Sequence, residues 1–167
     1  MNIYVTDRNS VPTYSQVAIS HIISIGNKEI CPDISKFGNH NLTYYRICFD
    51  DVSDSGHQNP PTYEIVERLI KIYISIPSNS HVLFHCSAGI SRSTAAAFLY
   101  LVVKGISYEK AWEEVLRARY PGASNIPDDY IRPNNLMIYY ADQIFGDNGE
   151  MIKWILEKKG DTKWNFK

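Results

Sequence analysis

The sequence predicts an α/β fold, a central, mostly parallel sheet of about four to five strands flanked by helices. Three observations carry this expectation. Short apolar runs that read as strands alternate with longer stretches in which apolar residues recur at helical spacing. A glycine-containing loop joins the end of one apolar run to the start of a helix, which is where open α/β sheets hold their ligands. The 167 residues, 44% of them hydrophobic, suit one packed domain. No stretch approaches the roughly 18 apolar residues of a membrane span.

Taken in order, Ile3-Tyr4-Val5 reads as the first strand, followed by a short helix. His21-Ile22-Ile23-Ser24-Ile25 is the second strand and Tyr44-Tyr45-Arg46-Ile47-Cys48 the third. Thr62 to Ile76 carries Ile65, Leu69, Ile72, Tyr73 and Ile76 at helical spacing, and Pro77 marks its exit. His81-Val82-Leu83-Phe84 is a buried strand, and Thr94 to Gly105 is a helix whose Ala95-Ala96-Ala97 lets it pack close to the sheet. Gly105 caps that helix and Ser107 opens the next, which runs to Arg119 with Trp112 on its core side. Tyr120 to Asp129 is irregular, either a border of the active site or a solvated connector. Residues 1–147 form the main domain. Residues 148–167 add a packed helix bearing Met151, Ile152, Trp154 and Ile155, then a loose polar tail from Lys158, all attached to the same domain.

The chemistry concentrates in His85-Cys86-Ser87-Ala88-Gly89-Ile90-Ser91-Arg92-Ser93. A thiol sits where a strand ends, and an arginine follows after five intervening residues where a helix begins. Helix starts present unpaired N–H groups and the positive end of the dipole, so they attract anions. A loop curling from Ser87 to Arg92 makes its N–H groups a nest for an oxyanion such as phosphate. Gly89 supplies a backbone angle that side chains resist. Arg92 adds a planar fork for two phosphate oxygens. The same field favours the ionised, nucleophilic form of the Cys86 sulfur, with Ser91 and Ser93 as candidate hydrogen-bond donors to it. His85 reads as a packed, hydrogen-bonded support for the loop. A buried structural cysteine is the plain alternative for Cys86 alone, and the surrounding residues outweigh it.

These nine residues resemble the signature of the cysteine-dependent protein tyrosine phosphatases, His-Cys-x5-Arg-Ser/Thr. They are most similar to the dual-specificity branch, whose loop commonly reads His-Cys-x-Ala-Gly-x-Ser-Arg-Ser. The resemblance covers roughly residues 1 to 145. It implies Cys86 as nucleophile, Ser87, Ala88, Gly89, Ile90, Ser91 and Arg92 as the phosphate-binding loop, and His85 and Ser93 as supports. It also implies an upstream aspartate as general acid. Asp51, 35 positions before Cys86, fits best, with Asp54 and Asp50 as rivals. Arg132-Pro133-Asn134 resembles a Pro-Asn element whose Asn134 side chain braces the catalytic loop. The family needs no metal and no cofactor.

The implied function is a protein phosphatase acting on phosphotyrosine, and on phosphoserine or phosphothreonine, in phosphorylated protein substrates. The chain is too short for the larger tyrosine-only domains. Three alternatives stay open: a phosphoprotein-binding module without turnover, a phosphoinositide phosphatase, and an RNA 5'-phosphatase. The loop positions Ser87, Ala88, Ile90 and Ser91 are uncharged, and the net charge is −1, so neither a polyphosphorylated lipid nor nucleic acid is favoured. The start lacks a basic, apolar leader, and an odd set of cysteines without metal-type spacing suits a reducing, cytoplasmic setting. Cys31 and Cys48 read as ordinary cysteines, with a protective disulfide to Cys86 as the minor alternative. Asn41-Leu42-Thr43 matches a glycosylation acceptor that the cytoplasm leaves idle.

Overall fold

Four strands, β1 (Asn2–Asp7), β2 (His21–Gly26), β3 (Thr43–Cys48) and β4 (His81–Cys86), lie in the order β1-β4-β2-β3, and every neighbouring pair is parallel. A computed structural model of the chain describes residues 2–27, 32–38 and 41–161, and among these the sheet has four strands, all parallel. Period-two alternation gives each strand two faces. Val82, Phe84 and Cys86 join Val5, Ile23 and Ile25 in the main core, whereas Leu83 joins Ile22, Val11, Ile19 and Phe37 in a second core. β4 is an interior strand, flanked at its end by Asp7 opposite Cys86 and by Ser24 opposite His85. Cys86 therefore emerges from a strand held on both sides.

Five helices follow: α1 (Tyr63–Ser75), α2 (Arg92–Val103), α3 (Tyr108–Arg119), α4 (Asn135–Phe145) and α5 (Glu150–Lys158). The short helix after β1 is a 3-10 turn, Val11–Gln16, whose Val11 sits in the second core. Thr62 caps α1 by accepting the Ile65 N–H at 3.3 Å. α2 packs over β4, β1 and β2, and its Ala95, Ala96 and Ala97 are fully buried. Small side chains let the helix backbone approach the sheet closely. α2 ends with Gly105 at φ +82°, where the Gly105 and Ile106 N–H groups bond back to the Val102 and Leu101 carbonyls. Ser107 precedes α3 without a side-chain cap. No helix among the described residues is long and apolar enough to cross a membrane.

The described part of the segment after α5, residues 159–161, is held by bonds to distant residues, where its polarity led to the expectation of a loose tail. Lys159 is buried, and its Nζ donates to the Pro133 carbonyl at 3.3 Å and to Asn135 Oδ1 at 2.5 Å. Arg132 Nη2 donates to Asp161 Oδ1 at 2.6 Å. These charges find partners more than twenty residues away in sequence, which composition cannot reveal. Trp154 packs with Phe98, Tyr108 and Trp112. Cys31 and Trp164 lie outside the described residues.

The corner between α4 and α5 depends on one carboxylate. Buried Asp142, in the last turns of α4, accepts N–H bonds from Gly149 at 2.7 Å, Met151 at 2.9 Å and Ile152 at 3.2 Å. It thus caps α5, whose own N-cap is Gly149, and places a negative charge at the positive helix end. Asp142→Ala strands these donors and is expected to destabilise the protein by about 2–4 kcal/mol. Urea unfolding checks this, and kcat/KM of the folded variant should stay near wild type because the corner touches no loop residue.

Candidate active site

From Ser87 to Ile90 each carbonyl is held from outside the loop. Ser87 O accepts from Arg8 N at 3.4 Å, Ala88 O from Arg119 Nη2 at 3.2 Å and Gly89 O from Arg119 Nε at 2.9 Å. Ile90 O accepts from Arg132 N at 2.9 Å and Thr94 Oγ1 at 2.5 Å. The described peptides contain no cis bond, and a trans plane points its N–H opposite to its C=O. Carbonyls drawn outward therefore turn the N–H groups of Ala88, Gly89, Ile90 and Ser91 to the concave side. The Gly89 N–H, which donates to Cys86 Sγ at 3.3 Å, marks that side. Gly89 has φ +72°, and a Cβ there would lie 2.7 Å from Asp7 N and from the Thr6 carbonyl carbon.

Cys86 is almost fully buried at the end of β4, with Ser93 Oγ at 3.2 Å from its sulfur. The Gly89 N–H donates to Sγ and the Ser93 hydroxyl lies within hydrogen-bond distance of it, an arrangement that suits negative charge there. Ser93 is thus placed beside the sulfur, but Ser91 is not. Its hydroxyl donates instead to Asp51 Oδ1 at 2.6 Å. The reason is geometric. Ser91 sits at the N-cap of α2, two residues before Ser93, and so leaves the helix start in a different direction from the one that reaches the sulfur.

Arg92, 6% exposed, opens α2. Nη1 donates to the Phe49 carbonyl at 2.9 Å and Nη2 to Ser87 Oγ at 3.1 Å, which lock the guanidinium plane. Nε is buried without a hydrogen-bond partner, 3.7 Å from Asp51 Oδ2. A buried guanidinium N–H left unpaired costs free energy unless something else accepts it. Here Nε faces the Asp51 carboxylate at ion-pair distance without a hydrogen bond of its own.

The three candidate aspartates separate clearly. Asp51 faces Ser91 and Arg92, and Asn134 Nδ2 donates to its Oδ1 at 3.0 Å. Asp50 faces half-exposed His57 at 3.7 Å. Asp54 Oδ1 accepts the Gly56 N–H at 2.9 Å in a local turn. Asn134 also donates to Val52 O at 3.0 Å, and its Oδ1 accepts the Met137 N–H, capping α4. Asn134 thus braces the aspartate segment, not the catalytic loop as the resemblance implied. An N-cap residue is fixed by its own helix, so it makes a rigid anchor for a neighbouring loop. A groove of about 450 Å³ beside Asp51 is bordered by Ile90, Ser91, Arg132, Asn134 and Lys159.

His85 lies buried on the sheet face opposite Cys86, and neither ring nitrogen has a hydrogen-bond partner. It supports the loop by packing, not through hydrogen bonds. Burial pushes its pKa down to about 4, with Arg8 acting in the same direction and the Cys86 backbone and Asp7 against it. The sign of the linkage follows. The unfolded histidine binds a proton near pH 6.5, while the folded one stays neutral until about pH 4. Stability is therefore full above pH 6.5 and is lost as pH falls towards 4. Between pH 7.5 and 4.5, wild type should lose about 2–3 kcal/mol more stability than His85→Asn. Urea unfolding at the two pH values measures this, and equal losses would refute it.

Cys48 and Cys86 are both free thiols. Cys48 ends β3 opposite Gly26 of β2, and β2 lies between β3 and β4. Two strand spacings amount to about 10 Å, beyond the roughly 7 Å limit for a disulfide between Cα atoms.

Sequence reasoning missed Arg119, Lys159 and Asp161. Arg119 shares the last turn of α3 with Arg117, which pairs with Glu113 and Glu114 on the helix surface. Nothing in the sequence distinguishes the arginine that turns to the loop from the one that does not.

No protein-family model matches the chain. A curated relative, MAP kinase phosphatase with leucine-rich repeats protein 1 of Dictyostelium discoideum, is 26% identical over 103 residues, covering 60% of this chain. That match spans only 11% of the relative's length. Among solved structures, human DUSP28 superposes with a TM-score of 0.59 at 14% identity, covering 87% of this chain and 94% of its own. The human tyrosine phosphatase-like serine/threonine/tyrosine-interacting protein gives 0.59 at 20% identity, with 88% and 93% covered. DUSP15 gives 0.56 at 20% identity, with 96% and 94% covered. Four parallel strands with helices packed against the sheet give this chain the α/β fold of these dual-specificity phosphatase structures.

Proposed function

We propose that this protein is a phosphatase that hydrolyses phosphotyrosine, and phosphoserine or phosphothreonine, monoesters of protein substrates through a cysteinyl-phosphate intermediate. The observation that carries the reading is one loop that joins the Cys86 sulfur, which accepts the Gly89 N–H, to the Arg92 guanidinium, which Phe49 O and Ser87 Oγ lock in place at the start of α2. Inward N–H groups and a locked guanidinium favour an oxyanion whose charge spreads over several oxygens, as in phosphoryl transfer.

In the first step the Cys86 thiolate attacks phosphorus. The S–P bond forms, the ester P–O bond breaks, and Asp51 gives its proton to the departing oxygen. In the second step water attacks phosphorus, its proton passes to Asp51, and the S–P bond breaks to release phosphate and the thiolate. Asp51 Oδ1 accepts from Ser91 and Asn134, which hold the carboxyl against the loop beside Arg92. Ser93 and Gly89 stabilise the sulfur as leaving group in the second step. The uncharged side chains of Ser87, Ala88, Ile90 and Ser91 favour a monophosphate over a polyphosphorylated lipid or RNA 5'-phosphate. The names of the similar proteins, a MAP kinase phosphatase among them, point in the same direction.

Turnover of phosphotyrosyl, phosphothreonyl, phosphoinositide and RNA triphosphate substrates by the purified protein tests the class. Phosphopeptide binding without release of phosphate would make the protein a binding module instead. Asp51→Asn should lower kcat by about 10²-fold or more on phenyl phosphate, and by much less on an ester whose leaving group departs without a proton. A near-wild-type rate on both would remove Asp51 from the mechanism.

A further inference from the structure

We infer that Arg119 is a positioning residue for the loop: it clasps two consecutive carbonyls so that the Gly89 and Ile90 N–H groups face the bound oxyanion. This rests on the oxyanion reading of the loop. Arg119 Nε donates to Gly89 O at 2.9 Å and Nη2 to Ala88 O at 3.2 Å, two nitrogens of one planar group on two adjacent peptides. Each bond fixes one peptide plane, and each plane directs one N–H inward. The flanking planes are held by the backbone, through Arg8 N on Ser87 O and Arg132 N on Ile90 O. The two central planes depend on a side chain.

Three further observations support a dedicated clasp. Among the described residues Arg119 has no carboxylate partner, while Arg117 in the same turn has two. The Tyr120 ring lies 5.0 Å from the Arg119 guanidinium, and the Tyr120 hydroxyl donates to Tyr130 O at 3.0 Å, so the covering ring is itself anchored. A Cβ on Gly89 would stand 2.9 Å from Arg119 Nε, so the guanidinium approaches the loop as closely as it does because residue 89 has no side chain. Lysine cannot replace this contact. It has one nitrogen and no plane.

The test uses inorganic phosphate as ligand and backbone amide NMR as readout, with Arg119→Met, Arg119→Lys and the control Arg117→Met. In wild type, phosphate should move the Gly89 and Ile90 amide proton resonances downfield. Arg119→Met should weaken phosphate binding about tenfold, or 1.4 kcal/mol, within the range of two hydrogen bonds, and should abolish those two shifts. KM for an aryl phosphate should rise in parallel. Arg119→Lys, which keeps the charge, should retain most of the loss, and Arg117→Met should show none. Unchanged phosphate affinity in folded Arg119→Met, or full recovery in Arg119→Lys, would overturn the inference. Failure of wild type to bind phosphate at all would instead overturn the oxyanion reading, and the inference with it. Should Arg119→Met not fold, the lysine variant decides alone.

Discussion

Cys86→Ser is expected to lower phosphate-ester hydrolysis by roughly 10⁴-fold or more, the scale on which loss of a covalent nucleophile acts, while phosphate or vanadate still binds. The two outcomes separate because the loop and the sulfur are distinct components. The N–H groups of the loop are oriented by bonds to Arg8, Arg119 and Arg132, none of which passes through Sγ. Serine keeps the volume of residue 86 and a hydrogen-bonding atom for Ser93 and the Gly89 N–H. Its hydroxyl is a far weaker nucleophile, buried His85 faces the other way, and in the first step Asp51 acts as the proton donor, not as a base for residue 86. Steady-state hydrolysis of an aryl phosphate, set beside calorimetric titration of phosphate, checks both halves. Appreciable turnover by the serine variant would exclude the covalent mechanism.

Gly89→Ala is the second large effect expected, and it strikes binding and turnover together. The φ of +72° costs a side-chain-bearing residue about 1–3 kcal/mol. The new methyl would also lie 2.7 Å from two backbone atoms at the end of β1 and 2.9 Å from Arg119 Nε. The arginine can yield, but the β1 backbone cannot, because it is hydrogen-bonded to β4 up to Asp7 and Cys86. The loop must therefore shift away from β1, carrying the Gly89 and Ile90 N–H groups off the oxyanion. A displacement near 1 Å at a reacting centre costs on the order of 10²-fold, and kcat/KM should fall by about that factor. The melting temperature should fall by about 2–12 °C, since the strain of about 1–3 kcal/mol acts in a domain of this size at about 2–4 °C per kcal/mol. Full activity in Gly89→Ala would mean that the loop adopts another conformation.

The strands, the helices α1 to α3 and the loop between β4 and α2 were legible because their signals are local. The apolar run in His81–Phe84, the helical spacing read from Ile65, Leu69, Ile72, Tyr73 and Ile76, and the run from His85 to Ser93 all depend on neighbours within a few turns, although the face that α1 buries is Val66, Leu69, Ile70 and Tyr73. The aspartate was legible only as a group of three. Asp50, Asp51 and Asp54 follow a strand that is ending, where period-two alternation no longer says which side chain faces inward. The structure separates them by their partners, and Asn134 reaches Asp51 from the start of α4 across 83 positions of sequence.

By itself, the sequence determined an α/β chain with a thiol at a strand end and an arginine at the following helix start, because both follow from the order of residues. Tertiary structure alone decided how that loop is held. The donors that turn its N–H groups inward come from β1, α3 and the segment before α4. The bonds that keep Arg132 and Asn135 beside the groove come from the segment after α5. Hydrogen bonds between distant segments depend on packing distance, not on sequence distance, so no pattern in the chain could announce them.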